Sequence, residues 1–549
     1  MKNKTKIDYN KLIIVICISF FVAILNILRV IIGAAYTPVN YVYLAVGHYY
    51  LDYFEYVQQI AQGMWGKWLV ENQFTVNDPT KTFIGWGQYL LIGKIAKIFN
   101  LSAFAGYWLS TVILCLMLVI LIYVLIKKVL VDQPFYLQIS AFLLTIFAAP
   151  FVKFSFENGV KKVIPFDFWY SPTSIFHRFG GVPHHLATTI MTILVIIISS
   201  YLIENMDKLK TKEILVKMLI IVFLLACLLT FAPFQVINLL SALGAICLIY
   251  IIRNGLINKG MINMKIIYFL ATIIIVILPL AWWIKLSHDS GELFKRAIAW
   301  EVAQQHHPPL WQILATTGPI LIFVPFGMAD YLKKLSLVGL TLLLFTFFSY
   351  LYFFSPLATL FGTHNLRFLN PLVYVTFAII TILGIKAVSG YFVKQKKTIQ
   401  IIIISSLLVY FIWVSGLIYK SMSRVDDLSY MPVGVIEAFE AFSKFPDKKA
   451  VLTSPAKSLG VIVPVFTDRN VYLGRMIFTP DYEFKASLSD QFYQGQMGEE
   501  EAKRFLIDNK IGYILLTSIE YPYSQAALKK YLFLKPVYNN QSAVIFKVE

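Results

Sequence analysis

Long apolar runs alternate with short, mostly basic connections along most of this chain. About eleven runs are long enough, or nearly so, to cross a bilayer, for which roughly 20 apolar residues suffice. Their predicted limits are 12–34, 104–126, 135–152, 184–203, 214–232, 235–252, 266–286, 313–329, 336–354, 371–390 and 399–419. The first run follows a basic flank, MKNKTKIDYNKL, and leads into Tyr36-Thr37-Pro38 without a small-residue cleavage site. It therefore reads as an uncleaved span rather than a signal peptide. Pro233 marks a tight turn between two runs. The stretch FIGWGQYLLIGKIAKIF, residues 83–99, carries three glycines and two lysines, which predicts a helix lying in the membrane interface.

Beyond residue 420 the pattern changes. AVLTS, VIVPVF, GYILLTS and SAVIFKV read as strands, and EEEAKRFLIDNK as an amphipathic helix. The expected fold is thus mainly α: a polytopic helical bundle over 1–419, of about 11 spans (roughly 10–13), then an α/β domain over 420–549.

Composition agrees. Of 549 residues, 58% are hydrophobic and 14% charged, against roughly 45–50% and about 25% in soluble domains. That excludes a disordered chain, a fibre, a disulfide scaffold and a soluble enzyme. Cys17, Cys115, Cys227 and Cys247 all sit inside apolar runs, so neither a disulfide nor a thiolate metal site is expected.

The net charge of +18 would elsewhere suggest nucleic acid. Position argues otherwise. If 83–99 stays outside, the short cytoplasmic connections receive Lys2, Lys4, Lys6, Lys11, Lys127, Lys128, Lys208, Lys210, Lys212, Lys217, Arg253, Lys259, Lys265, Lys333, Lys334, Lys386, Lys394, Lys396 and Lys397. Nearly every short-loop basic cluster then obeys the positive-inside rule. The tail 420–549 is close to balanced, with 15 acids and 16 basic residues. The excess is an orientation signal. It predicts a cytoplasmic N-terminus, outer loops at 35–103, 153–183, 287–312 and 355–370, and an extracytoplasmic tail.

This topology puts all eight histidines outside: His48, His177, His184, His185, His288, His306, His307 and His364. Part of that clustering is the ordinary preference of histidine for interfaces. In the first outer loop Asp52 and Glu55 are three apart and share a helical face with His48 and Tyr56. A carboxylate at an apolar surface suits a general base; the competing reading is a helix-start acid. The second loop offers Glu157, Asp167 and His177-Arg178, where the arginine suits a phosphate or a metal site. It then reaches His184-His185, whose rings diverge on a helix, so at most one reaches a site. In the third loop Glu301 and Gln305 share a face ahead of His306, His307 and Pro308-Pro309.

The layout resembles the GT-C superfamily of integral-membrane glycosyltransferases. The resemblance rests on Asp52 with YFEYVQQIAQGMWGKW, on NDPTKTFIGWGQYLLIGKIAKIFNLS, on LRFLNPLVYVTFAIITILGI from Leu366, and on VPVFTDRNVYLG and IGYILLTSIE in the tail. It is similar to bacterial mannosyl- and arabinosyltransferases and more distantly to oligosaccharyltransferases. It implies a hexosyl or pentosyl transfer from a polyprenyl-phosphate or diphosphate donor to a glycan, lipid or protein acceptor, at the outer face of a bacterial plasma membrane. Asp52 is then the base with Glu55 as helper. Arg367, Arg178, His177 and His364 would meet the donor phosphate, and His48, Tyr53, Glu301, His306, His307 and His184 the substrate. The oligosaccharyltransferase branch binds a divalent cation, Mg or Mn, with loop carboxylates that Asp52, Glu157, Asp167 and Glu301 would imitate. Its Trp-Trp-Asp motif is absent here, since Ile284 follows Trp282-Trp283, which puts both a metal and transfer to asparagine in doubt. No GxxxxGK[ST] motif suggests a nucleotide, and no nucleic-acid partner is expected. The alternatives are a transporter or flippase for a lipid-linked saccharide, or a non-catalytic assembly protein. Transporters carry ionisable residues at mid-membrane depth and often inverted repeats; neither is visible in this sequence.

Overall fold

The computed structural model describes residues 9–78, 80–157, 159–167, 172–252, 264–392, 394–422 and 427–549. Lys2, Lys4, Lys6, Arg253 and Lys259 of the basic set lie outside them, as does the side chain of Glu157. Seven described helices are long and apolar enough to cross a membrane: Tyr9–Ala35, Ala103–Val129, Pro183–Asn205, Thr211–Phe231, Pro233–Ile251, Met264–Ser290 and Lys396–Met422. Phe135–Phe147, Leu337–Phe353 and Val373–Ser389 are shorter apolar helices. Ten of the predicted runs therefore appear as helices.

The eleventh run, 313–329, does not form one helix. It breaks into Leu310–Thr317, a 3-10 turn Pro319–Leu321, and Val324–Lys333. Gly318 adopts φ +87°, and Pro319 has no N–H to continue the ladder.

The chain divides into two compact units. One comprises Met1–Ile27, Thr111–Lys285 and Glu301–Arg424; the other Leu28–Ser110, Leu286–Trp300 and Val425–Glu549. The unit holding the tail thus also takes in the first outer loop.

In the first unit, small residues let helices approach closely, as membrane packing favours. A Cβ on Gly327 would fall 2.0 Å from the Ile380 carbonyl oxygen, and one on Gly384 2.0 Å from that of Phe323. Buried hydroxyls join other helices, Thr346 to Thr376 at 2.7 Å and Ser200 to Thr341 at 3.2 Å. A hairpin not foreseen from the sequence, Val152–Glu157 with Val160–Pro165, opens the second loop.

In the second unit, four strands form a sheet in the order Ala450–Leu452, Ile511–Thr517, Ala543–Val548, Leu534–Asn539. The first pair is parallel and the others antiparallel. Leu452, Phe492, Leu506, Ile514 and Phe546 form its core. VIVPVF is not a strand: Leu459–Phe466 is a buried helix. A short, continuous apolar run does not distinguish the two by periodicity, and Pro464 would leave an interior ladder without a donor. Tyr41–Tyr43 pairs antiparallel with Tyr430–Pro432.

Candidate active site

The Tyr50–Met64 helix buries Tyr53, Phe54, Val57, Ile60 and Ala61 on its apolar face. Asp52 lies in its first turn, where an acid is favoured. The helix ends where Gly66 takes φ +96° and the Lys67 N–H reaches back to the Gln62 carbonyl at 3.1 Å. The predicted interfacial stretch forms the Gly87–Ile98 helix and packs across it. A Cβ on Gly93 would stand 2.0 Å from the Ile60 carbonyl oxygen, so the crossing requires glycine. Tyr89, Leu90, Gly93 and Ala96 are buried there, while Leu91, Ile95 and Ile98 are exposed.

Asp52 does not cap the helix; the N-cap is Tyr49. Its carboxylate instead meets Arg475, from the tail, whose other terminal nitrogen pairs with Glu55. The two acids differ in setting. Glu55 is 3% exposed and also accepts from Trp86 Nε1 at 2.9 Å and Gln59 Nε2 at 3.3 Å. The Asp52 side chain is 20% exposed. Burial pulls the Arg475 guanidinium below its usual range, and the Asp52 charge opposes that; it remains a cation.

The tail is joined to the first loop around this pair. Asn72 Nδ2 donates to the Phe478 carbonyl at 2.9 Å, Asn470 Nδ2 to that of Thr75 at 2.8 Å, and the buried Lys485 to Thr75 Oγ1 at 3.0 Å. Arg475 lies over the Phe478 ring at 5.2 Å. Phe478 stacks on Phe74 and meets Trp86 edge-on, and Trp86 in turn stacks on Phe294. Nearby, His48 Nε2 and Tyr107 Oη are 2.7 Å apart, and buried Tyr53 donates to the Leu44 carbonyl at 3.0 Å.

The first unit gathers a second group of expected residues. Arg367 forks onto Glu301, Nη2 to Oε1 at 2.5 Å and Nε to Oε2 at 3.3 Å. Thr363 Oγ1 donates to the same carboxylate at 2.8 Å, and His364 Nε2 lies 3.3 Å from it. Burial alone would raise Glu301; the Arg367 charge and these hydrogen bonds hold it at about 2. Burial, then Arg367, press His364 down to about 3, so it is neutral. Gln305 Nε2 donates to the Thr363 carbonyl at 2.6 Å, and the Asn365 amide bonds both the backbone N–H and the carbonyl of His306. From the other side Gln235 Nε2 donates to the Arg367 carbonyl at 2.7 Å and Asn238 Nδ2 to that of Phe368 at 2.8 Å. His307 is exposed.

Other expectations meet different surroundings. Arg178 is 2% exposed and donates to the carbonyls of Pro172, Ile146 and Ala148 at 2.9, 2.8 and 2.5 Å, beneath the Tyr374 ring. Two of these bonds brace the C-terminal end of the Phe135–Phe147 helix and the third holds the loop at Pro172, rather than facing an open anion site. His177 is exposed, and the His184 and His185 rings touch edge-on with centroids 4.3 Å apart. Asp167, also exposed, accepts from Thr173 at 3.2 Å. Among the described residues, no three His, Cys, Asp or Glu are placed to hold a metal ion.

No family model matches the sequence, and no curated protein matches it. Solved structures do match. The Archaeoglobus fulgidus oligosaccharyltransferase in its apo form matches with a TM-score of 0.50 at 12% identity, over 94% of this chain and 70% of that one. The arabinofuranosyltransferase AftD from Mycobacteria matches at 0.53 and 9% identity, over 99% of this chain and 40% of that one. The fold is that of the GT-C glycosyltransferases. ArnT from Cupriavidus metallidurans bound to undecaprenyl phosphate aligns over 98% of each chain at 9% identity, with a TM-score of 0.49. Arg475 is the partner of Asp52 and Glu55 that sequence reading missed. It is 423 positions from Asp52, and the quoted VPVFTDRNVYLG stops one residue short of it.

Proposed function

We propose that this protein is a membrane glycosyltransferase that moves a sugar from a polyprenyl-phosphate or diphosphate donor to an acceptor hydroxyl at the outer membrane face. The observation that carries the proposal is Asp52, partly exposed on the first-loop helix, beside a fully engaged Glu55. It sits in a fold shared with an oligosaccharyltransferase and an arabinofuranosyltransferase. Asp52 takes the acceptor hydroxyl proton as that oxygen bonds to the anomeric carbon. The anomeric C–O bond to phosphate breaks, and the polyprenyl phosphate leaves with the electron pair. Because phosphate leaves readily, correct positioning of the hydroxyl is the main demand on the protein.

Within its own unit, Arg367 is suited to an anion, since its guanidinium grips one carboxylate and keeps a third of its side chain exposed. Neutral His364 adds a polar edge beside it. Arg475 is the cation beside Asp52 and Glu55, and Arg367 the one beside Glu301. The basic clusters of the short loops support an outward-facing first loop.

The test is reconstitution in proteoliposomes with radiolabelled undecaprenyl-phosphate sugars and candidate acceptors. Asp52→Asn is expected to lower transfer by at least about 100-fold, the usual worth of a general base. Undiminished transfer by that variant removes Asp52 from the role. Movement of intact lipid-linked saccharide across the bilayer, with no donor consumed, would replace the transferase reading by a flippase.

A further inference from the structure

We infer that Arg475, supplied by the tail, is the positioning residue for Asp52, so that the reaction depends on a guanidinium 423 residues away along the chain. The inference rests on Asp52 being the base.

Asp52 and Glu55 project from one face of one helix, and Glu55 is almost fully buried. Two carboxylates so placed repel, and the repulsion would turn Asp52 away from its neighbour into solvent. Arg475 answers both with separate nitrogens of one planar group. A lysine ammonium, being a point charge, does not reproduce that fork. The fork thereby fixes the direction in which the Asp52 carboxylate points.

The setting around Arg475 fixes it in turn. Its planar group lies over Phe478, in contact with Trp86 and Phe74 through that ring. Its backbone is held by the residue before it. A Cβ on Gly474 would fall 2.6 Å from Phe74 Cβ and 2.7 Å from Phe74 Cα, so only glycine lets the tail lie this close to the first loop. The Gly474 N–H bonds Thr479 Oγ1 at 3.3 Å, and Thr479 Oγ1 donates to the Phe74 carbonyl at 2.9 Å. Glu55 is also locked by Trp86 and Gln59, which leaves Asp52 as the member of the pair whose position depends on Arg475. The tail is thereby an integral part of the site rather than an appended module.

The test uses full-length protein in proteoliposomes with radiolabelled undecaprenyl-phosphate sugars. Arg475→Ala is expected to lower kcat by about 100-fold, the loss typical of a reacting group misplaced by an ångström. KM for the donor should change by less than about threefold, since only transition-state geometry is lost. Added guanidinium ion should restore about tenfold of that loss, while Arg475→Lys should not recover it. Rescue by a small cation is a readout that a collapsed fold does not give. Gly474→Ala, which displaces the same backbone, should lose activity without guanidinium rescue. Wild-type turnover by Arg475→Ala, or a loss that guanidinium leaves untouched, overturns the inference. Full activity in Asp52→Asn would instead defeat the base assignment beneath it, and the two failures are read from different variants.

Discussion

Replacing Glu301 by glutamine changes one charge while keeping shape. In the native protein the carboxyl falls from an ordinary 4.5 to about 2, because Arg367, Thr363 and His364 surround it despite burial. At about 1.4 kcal/mol per pH unit, that shift makes the ionised form worth about 3 kcal/mol to the folded state. The sign follows from the depressed value: the contribution is complete above pH 4.5 and is lost as pH falls through 2. Integrated between pH 5 and pH 3, the loss is about 2 kcal/mol. Other carboxylates titrate in both proteins, so the difference between wild type and Glu301→Gln isolates this one. Thermal unfolding in one detergent, followed by intrinsic fluorescence from pH 7 to pH 3, should show wild type ahead at neutral pH. That lead should shrink by more than half at pH 3. A lead that is constant with pH would refute the argument, since Glu301 would then not be held charged by Arg367.

Arg178→Met should lower heat stability by about 3 kcal/mol by leaving three carbonyls without their charged donor; an anion-binding Arg178 would instead raise donor KM with the melting temperature unchanged. Gly93→Ala should destabilise the first-loop helix pair by about 1–3 kcal/mol through overpacking on Ile60, measured as a lower midpoint with faster proteolysis of residues 50–98. Glu520, fully buried between Ser454 and Thr517, is pushed up to about 7 by burial despite four hydrogen bonds. Its stabilising contribution is therefore complete below pH 4.5 and lost, by about 3 kcal/mol, as pH rises through 7. Melting curves of Glu520→Gln should lack that fall between pH 5 and pH 8; an unchanged fall would place the titration elsewhere.

Ten of the apolar runs were legible as helices to within a few residues, because a long apolar run is recorded locally in the sequence. The helix through Asp52 and Glu55 and the strands around Ile511 and Ala543 were also legible, from period and turn chemistry. Where local pattern admits two answers it misled. VIVPVF is apolar throughout and becomes a helix on the first-loop helix, and the run through Gly318-Pro319 is apolar enough to span yet is cut by its backbone.

By itself the sequence determined the long apolar helices, their order along the chain and which acids, histidines and arginines carry candidate chemistry. Only the tertiary structure decided how those groups pair. Arg178 goes to helix-end carbonyls, Arg367 to Glu301, and Arg475 to Asp52 and Glu55. Ionic partners are chosen by proximity and burial in three dimensions, and nothing in spacing along the chain encodes a contact across 423 residues.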